Sequence, residues 1–257
     1  MTSAIAPGLT VDAFLGGQLR LIQPEDGHRA GLDAVMLAAA APVVCGQKIL
    51  DAGTGIGVVG LCIARRVPGC RVTGIEIDPQ LVAVAQENSR SNGLEDCFQA
   101  HAADLTGPFG AIEIQGPKRD SFDVVVANPP FYATGRSSPS QNRARQRAHA
   151  MPAGGLEEWI RFMTAMLAPG GMLVMIHQAA ALRDLLTLLE GRCGEANVYP
   201  LFPRFDEPAH RIIIAARKGS RAGLTLRRGL VLHAEGNSFT AAAEAVLRQG
   251  AAIDLFA

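Results

Sequence analysis

Asn128-Pro129-Pro130-Phe131 follows directly on the run Val124-Val125-Val126-Ala127, and a tetrapeptide of this make-up can hold an aromatic amine. An exocyclic N–H₂ on a base is a poor nucleophile because its lone pair is delocalised into the ring. Acceptors placed around it draw it toward sp³ geometry. The Asn128 carboxamide oxygen and the Pro129 backbone carbonyl are two such acceptors for its two hydrogens. Proline fixes φ and biases its predecessor toward extended backbone, so Pro129 and Pro130 would aim these oxygens rigidly. Phe131 or Tyr132 can then stack on the base, as enzymes acting on extruded bases commonly arrange. Taken alone, the tetrapeptide would serve equally as a rigid turn after a core strand.

A second group of residues implies a methyl donor. "ILDAGTGIGVVGL", residues 49–61, reads as a strand running into Asp51-x-Gly53-Thr54-Gly55-x-Gly57 and then a helix. Glycines let the backbone turn tightly and approach a ligand closely. Glu76 closes the next strand, 25 residues after Asp51, where an acid can accept both hydrogen bonds of a ribose diol. A dinucleotide fingerprint wants G-x-G-x-x-G with pyrophosphate on the helix N-terminus. Here the glycines run G-x-G-x-G behind an acid that would repel pyrophosphate yet could hold an amino group. S-adenosylmethionine has that amine, a ribose and no phosphate. Asp104, in "HAADL", is placed to accept from the adenine amino group, and Ile77 and Leu105 adjoin these acids in the expected cofactor set. Capping a loop is the competing role for Asp51 or Asp104 taken singly. Transfer from a sulfonium is an in-line displacement that needs alignment more than a strong base, and no metal is required.

The residues after the tetrapeptide fit a polyanion. Between Asp123 and Glu157 no acid occurs, while Arg136, Arg143, Arg145 and Arg147 gather with His149. Such a loop can collect RNA phosphates without any net charge on the protein, although a solvated loop would have the same composition. Arg217, Lys218, Arg221, Arg227 and Arg228 either extend the patch or form a charged strand edge.

The elements that must position these groups follow from the pattern. From residue 47, apolar strands alternate with helices, which predicts βαβ units and a doubly wound, mostly parallel α/β sheet of Rossmann-like type. Strands are expected at Gln47–Asp51, Arg71–Glu76, Phe98–His101, Phe122–Ala127 and Met172–His177, with helices at Val58–Arg66, Pro79–Asn92 and Leu156–Leu167. Asp78 suits the N-cap of the second helix, Pro79 its N1 position and Asn92-Gly93 its end. Further on, Asn197–Phe202 and Arg211–Ala215 read as a closing pair of strands, Leu224–Leu232 as another strand and Thr240–Leu247 as a short helix. The first 46 residues are too few for a core of their own and are expected to cap the 47–257 domain.

Composition narrows the setting. Apolar residues make up 48% of the 257, an ample core, and Lys+Arg and Asp+Glu both total 24, so no global field draws the chain to nucleic acid or membrane. Cys45, Cys62, Cys70, Cys97 and Cys193 show neither zinc spacing nor a C-x-x-C pair and read as reduced thiols. The longest apolar run, Ala34 to Cys45, is too short to span a bilayer, and no charged n-region opens the chain, so a cytoplasmic protein is expected.

With these motifs the chain resembles class I S-adenosylmethionine-dependent methyltransferases, and among them the bacterial tRNA adenine-N6 methyltransferases that modify the adenosine beside the anticodon of valine tRNA. The resemblance runs through "GHRAGLDAVMLAA", "LDAGTGIGVVGL", "GIEIDP", "FDVVVANPPFY", "LEEWIRFMTAMLAPGGML" and "PRFDEPAHRIIIAARKGSRA". It implies a seven-stranded sheet with an antiparallel edge strand, cofactor contacts from Asp51, Gly53, Gly55, Glu76 and Asp104, and amine contacts from Asn128 and Pro129. It also implies that Arg29 and Asp33 help close the cofactor pocket, unless they form only a local salt bridge or helix cap. The same tetrapeptide serves enzymes that methylate guanine N2 in ribosomal RNA or a protein glutamine, the latter with an N-terminal helical domain for which there is little room here. An O-methyltransferase would need a base or metal that no motif marks. A non-catalytic RNA-binding module retaining the fold is the alternative from another class.

Overall fold

The computed structural model describes residues 8–25, 31–109, 112, 116–130, 155–236 and 238–256. The chain opens with an antiparallel hairpin, β1 (Leu9–Phe14) and β2 (Leu19–Pro24), followed by α1 (Leu32–Ala40). Then come β3 (Lys48–Ala52), α2 (Val58–Arg66), β4 (Arg71–Glu76), α3 (Pro79–Ser91), β5 (Phe98–Ala102) and β6 (Phe122–Ala127). Helix α4 (Gly155–Met166) leads directly into β7 (Leu167–Gln178), and α5 (Leu182–Leu189), β8 (Cys193–Phe202) and β9 (Arg211–Lys218) follow. Two short strands, β10 (Thr225–Leu226) and β11 (Leu230–Val231), and α6 (Ala241–Gln249) close the chain.

The main sheet runs β10-β8-β9-β7-β6-β3-β4-β5, with β11 also on β8. Strands β5, β4, β3, β6 and β7 are mutually parallel. The central strands β3, β6 and β7 are buried on both faces, which is why their cores read as apolar runs, while β5 at the edge alternates buried and exposed residues. Alternate side chains feed two layers. Ile49, Val124 and Val126 join α1, α2, α3 and α6 on one face, while Leu50, Ala52, Val125 and Ala127 join α4 and α5 on the other. Strand β3 lies between β4 and β6, where the order of connection reverses, so a crevice opens at the carboxyl ends of β3 and β6.

The expected α/β class is what the structure has, with differences of detail. Among the described residues the sheet has nine strands, because β10 and β11 add two-residue rungs to the seven of the main body. The antiparallel strand, β9, is not at the edge. It pairs with β7 on one side and β8 on the other. The run Leu224–Leu232 is broken by Gly229 at φ +79°, which splits the single expected strand into β10 and β11.

The N-terminal hairpin is fastened to α3 by two asparagines. Asn88, fully buried, accepts from Ile22 N–H at 2.7 Å and donates to Ile22 O and Ile56 O, both at 3.0 Å. Asn92 exchanges a matching pair with Arg20. Phe14, Leu15, Leu19 and Leu21 enter the same apolar layer as α1 and α2. Among the described residues no helix is long and apolar enough to cross a membrane.

Candidate active site

The glycine turn between β3 and α2 is held from within. Asp51 Oδ2 accepts from Thr54 Oγ1 at 2.6 Å and from Gly60 N–H at 3.0 Å, and the residue is only 1% exposed. Thr54 N–H donates to Ile75 O, tying the turn to β4, and Gly57 N–H donates to Thr54 O. Gly53, Gly55 and Gly57 all have positive φ, at +67°, +56° and +90°. These are values side chains resist. A Cβ at Gly53 would stand 2.5 Å from Trp159 Cη2, and one at Gly57 would crowd Phe98 and Leu61. At Gly55 a Cβ would meet nothing within 4 Å, so the space above the turn is open there.

Burial pushes the Asp51 carboxyl up to about 7, against the lowering effect of its two hydrogen bonds. The acid expected to receive a ligand's amino group is therefore, in the structure, the brace of the turn itself.

The neighbouring strand end carries Glu76. Its Oε2 accepts from Gly55 N–H and its Oε1 from Asp78 N–H, both at 3.0 Å, so the carboxylate is fixed across the mouth of the turn with lone pairs to spare. Ile77 beside it is 65% exposed, an apolar surface on which a base can lie. Asp104 is exposed. Its Oδ1 takes Thr106 N–H and Thr106 Oγ1–H at 2.8 and 2.6 Å, the loop-capping role, while Oδ2 takes no hydrogen bond among the described residues. Leu105 packs against the α4 layer.

Asn128 stands at the end of β6, one residue past the rung that pairs Ala52 with Ala127, and so next to Gly53. Its Oδ1 is buried and has no hydrogen-bond partner among the described residues. Pro129 is buried behind it and Pro130 half-buried. A buried amide oxygen without a donor costs on the order of 1–3 kcal/mol, which a ligand N–H would recover.

Asp33, at the start of α1, forms an ion pair with Arg211 Nε at 2.9 Å. That pair ties the N-terminal segment to β9, far away in sequence rather than local. His177, buried at the end of β7, is pushed down to about 4 by burial with help from Arg211, so it is neutral at pH 7. The candidates Arg29, Phe131, Tyr132, Arg136, Arg143, Arg145 and Arg147 lie outside the described residues.

Two residues at the site escape a reading of the sequence. Trp159, on α4, covers Gly53, and its Nε1 is buried with no partner among the described residues. Asn88 supports the turn from below through Ile56 O. Trp159 falls within the helix expected at Leu156–Leu167, where nothing in the pattern marks it, and Asn88 finds its partners by tertiary contact alone.

The residues present fit S-adenosylmethionine. A carboxylate at the end of β4 suits the ribose, an exposed apolar side chain follows it, open space lies above Gly55, and unpaired buried polar atoms remain at the ends of β6 and α4.

Comparison with known proteins agrees with this geometry. Residues 33–194 match the family model described as methyltransferase small domain. A tRNA1(Val) (adenine(37)-N6)-methyltransferase of Porphyromonas gingivalis is 33% identical over 204 residues, 75% of this chain and 77% of its own. A protein of the same name from Dickeya chrysanthemi is 23% identical across 94% of this chain and 95% of its own. The crystal structure of a predicted O-methyltransferase from Agrobacterium tumefaciens superposes with a TM-score of 0.72 at 26% identity, covering 86% of this chain and 98% of that one. The chain therefore belongs to the methyltransferase small domain family.

Proposed function

We propose that this methyltransferase methylates an exocyclic amine of a nucleobase in RNA, adenine N6 of a tRNA, with S-adenosylmethionine as cofactor. The observation that carries the reading is the Asn128 corner: a buried Oδ1 without a donor among the described residues, held by a strand end and backed by Pro129 and Pro130. The names of the relatives from Porphyromonas and Dickeya support tRNA adenine as the substrate.

The cofactor supplies an electrophilic methyl on a sulfonium. The protein's part is alignment. Asn128 Oδ1 and the Pro129 carbonyl accept the two amine hydrogens, which frees the nitrogen lone pair to point along the transfer axis. Glu76 accepts from the ribose hydroxyls, Ile77 and Leu105 flank the adenine, and Asp104 Oδ2 accepts from its amino group. Asp51 and Thr54 act through the shape of the turn, with Gly53, Gly55 and Gly57 giving the ligand close access. Phe131 or Tyr132 stacks on the target base, while Arg136, Arg143, Arg145 and Arg147 take phosphates. In this reading residues 1–46 cap the 47–257 domain, with Arg29 and Asp33 at the rim of the pocket, and the protein works in the cytoplasm.

Purified protein with labelled S-adenosylmethionine and tRNA from cells lacking the gene tests the proposal, followed by mass spectrometry of the nucleosides. N6-methyladenosine is the expected product. Label on guanine, on a hydroxyl, on protein alone or nowhere overturns it.

A further inference from the structure

Trp159 has a donor that nothing in the described structure uses. The residue is 5% exposed, it is the only tryptophan of the chain, and its Nε1 lacks a hydrogen-bond partner among the described residues. Indole N–H is a donor only, and buried tryptophans ordinarily find an acceptor for it. The ring's position is set by Gly53: Cη2, Cζ3 and Cζ2 would lie 2.5, 3.1 and 3.6 Å from a Cβ there. Glycine at this position is what lets the six-membered ring close over the end of β3, with the pyrrole edge and its N–H beyond.

The fold puts this N–H at the ligand end of the sheet. Helix α4 ends at Met166, and the next residue, Leu167, is level with Phe122 at the start of β6. The helix therefore climbs the sheet backward, and its first turn reaches the carboxyl ends of β3 and β6. There Asn128 Oδ1 is an acceptor without a donor and Trp159 Nε1 a donor without an acceptor, and the two do not satisfy each other. A ligand carrying both functions would complete both.

We infer that the Trp159 indole N–H donates to the carboxylate of the methionine portion of S-adenosylmethionine. The inference rests on the reading given under Proposed function. With the ribose at Glu76 on β4 and the reacting methyl facing Asn128 on β6, the amino-acid tail would pass beside the end of β3, along the edge of the indole. Neither the ammonium nor the sulfonium of that tail can accept a hydrogen bond. The carboxylate can, as a charge-assisted one.

The test is calorimetric binding of S-adenosylhomocysteine, and of 5′-methylthioadenosine, which lacks the amino-acid tail, to wild-type protein and to Trp159→Phe. Phenylalanine removes the N–H together with the outer indole atoms that lie over Gly53, so 5′-methylthioadenosine serves as the control for the lost packing. The expected result is an affinity for S-adenosylhomocysteine about tenfold or more weaker in the variant, with 5′-methylthioadenosine within about twofold of wild type. Equal losses for both ligands assign the indole to packing alone and overturn the inference, as does no loss for either. Wild-type protein that binds neither ligand overturns the functional reading as well, which separates the two failures. If the variant does not fold, the wild-type fluorescence decides: S-adenosylhomocysteine should shift the single tryptophan's emission and 5′-methylthioadenosine should not, and identical responses sink the proposal.

Discussion

The turn after β3 and the corner after β6 lie side by side at the carboxyl end of the parallel strands, yet they treat their polar groups in opposite ways. In the turn, Asp51 Oδ2 serves two donors and Thr54 N–H is bonded to Ile75 O. At the corner, Asn128 Oδ1 and Trp159 Nε1 are buried and have no hydrogen-bond partner among the described residues. The difference separates two duties. In the proposed reading, Asp51 and Thr54 hold a shape and are paired within the fold, whereas Asn128 Oδ1 and Trp159 Nε1 are groups for a ligand to pair.

The substitution that separates these duties most sharply is Asn128→Ala. It should cut methyl transfer by about a hundredfold or more, the scale of losing one preorganised polar contact to a reacting group. Calorimetric affinity for S-adenosylhomocysteine should stay within about twofold, and an unchanged rate would remove Asn128 from the mechanism. Gly53→Ala attacks the turn instead. A methyl at φ +67° and 2.5 Å from an indole should lower stability by about 2–3 kcal/mol in urea titration and weaken cofactor binding with it. A neutral result would mean the indole can move aside freely.

Asn88→Ala leaves Ile22 and Ile56 without their side-chain partners and should lower stability by about 2 kcal/mol. The smallest effect at neutral pH belongs to Asp51→Asn, which asks how far the turn depends on a proton. The folded carboxyl titrates near 7 against 3.8 for a free one, so the folded state holds its proton more tightly. The stability this contributes is full below about 3.8 and is lost as pH rises through about 7. Melting temperature of the wild type relative to Asp51→Asn should therefore fall between pH 5 and pH 8. Parallel curves for the two proteins would show that the carboxyl keeps its ordinary pKa.

Much of the sheet was legible because strands buried on both faces are written as unbroken apolar runs. The strands Phe122–Ala127 and Arg71–Glu76, and with them the helix Val58–Arg66, have in the structure the bounds the pattern predicts. Helix α1 was not legible. Seven of its nine residues are buried, so it has no polar face from which a period could be read. The inward place of β9 also lay out of reach, because order within a sheet depends on where a chain returns rather than on local composition.

At the site, residue type and spacing pointed to Asp51, Glu76 and Asn128, but type does not reveal burial. Asp51 reads as a ligand for an amine until Thr54, three residues on, is seen to turn its hydroxyl back to the acid. That Asp-x-x-Thr spacing was a signal in plain view. Trp159 and Asn88 left none, since each acts on a partner brought near only by folding.

Asn88 grips Ile22 on one side and the carbonyl of Ile56, within the glycine turn, on the other. By whatever free energy a ligand at the turn steadies the hairpin, an ordered hairpin must favour that ligand equally, since thermodynamic coupling between two sites is reciprocal. Amide exchange at Ile22 should slow when S-adenosylhomocysteine binds, which would make the outer ribbon of the molecule a gauge of its loading.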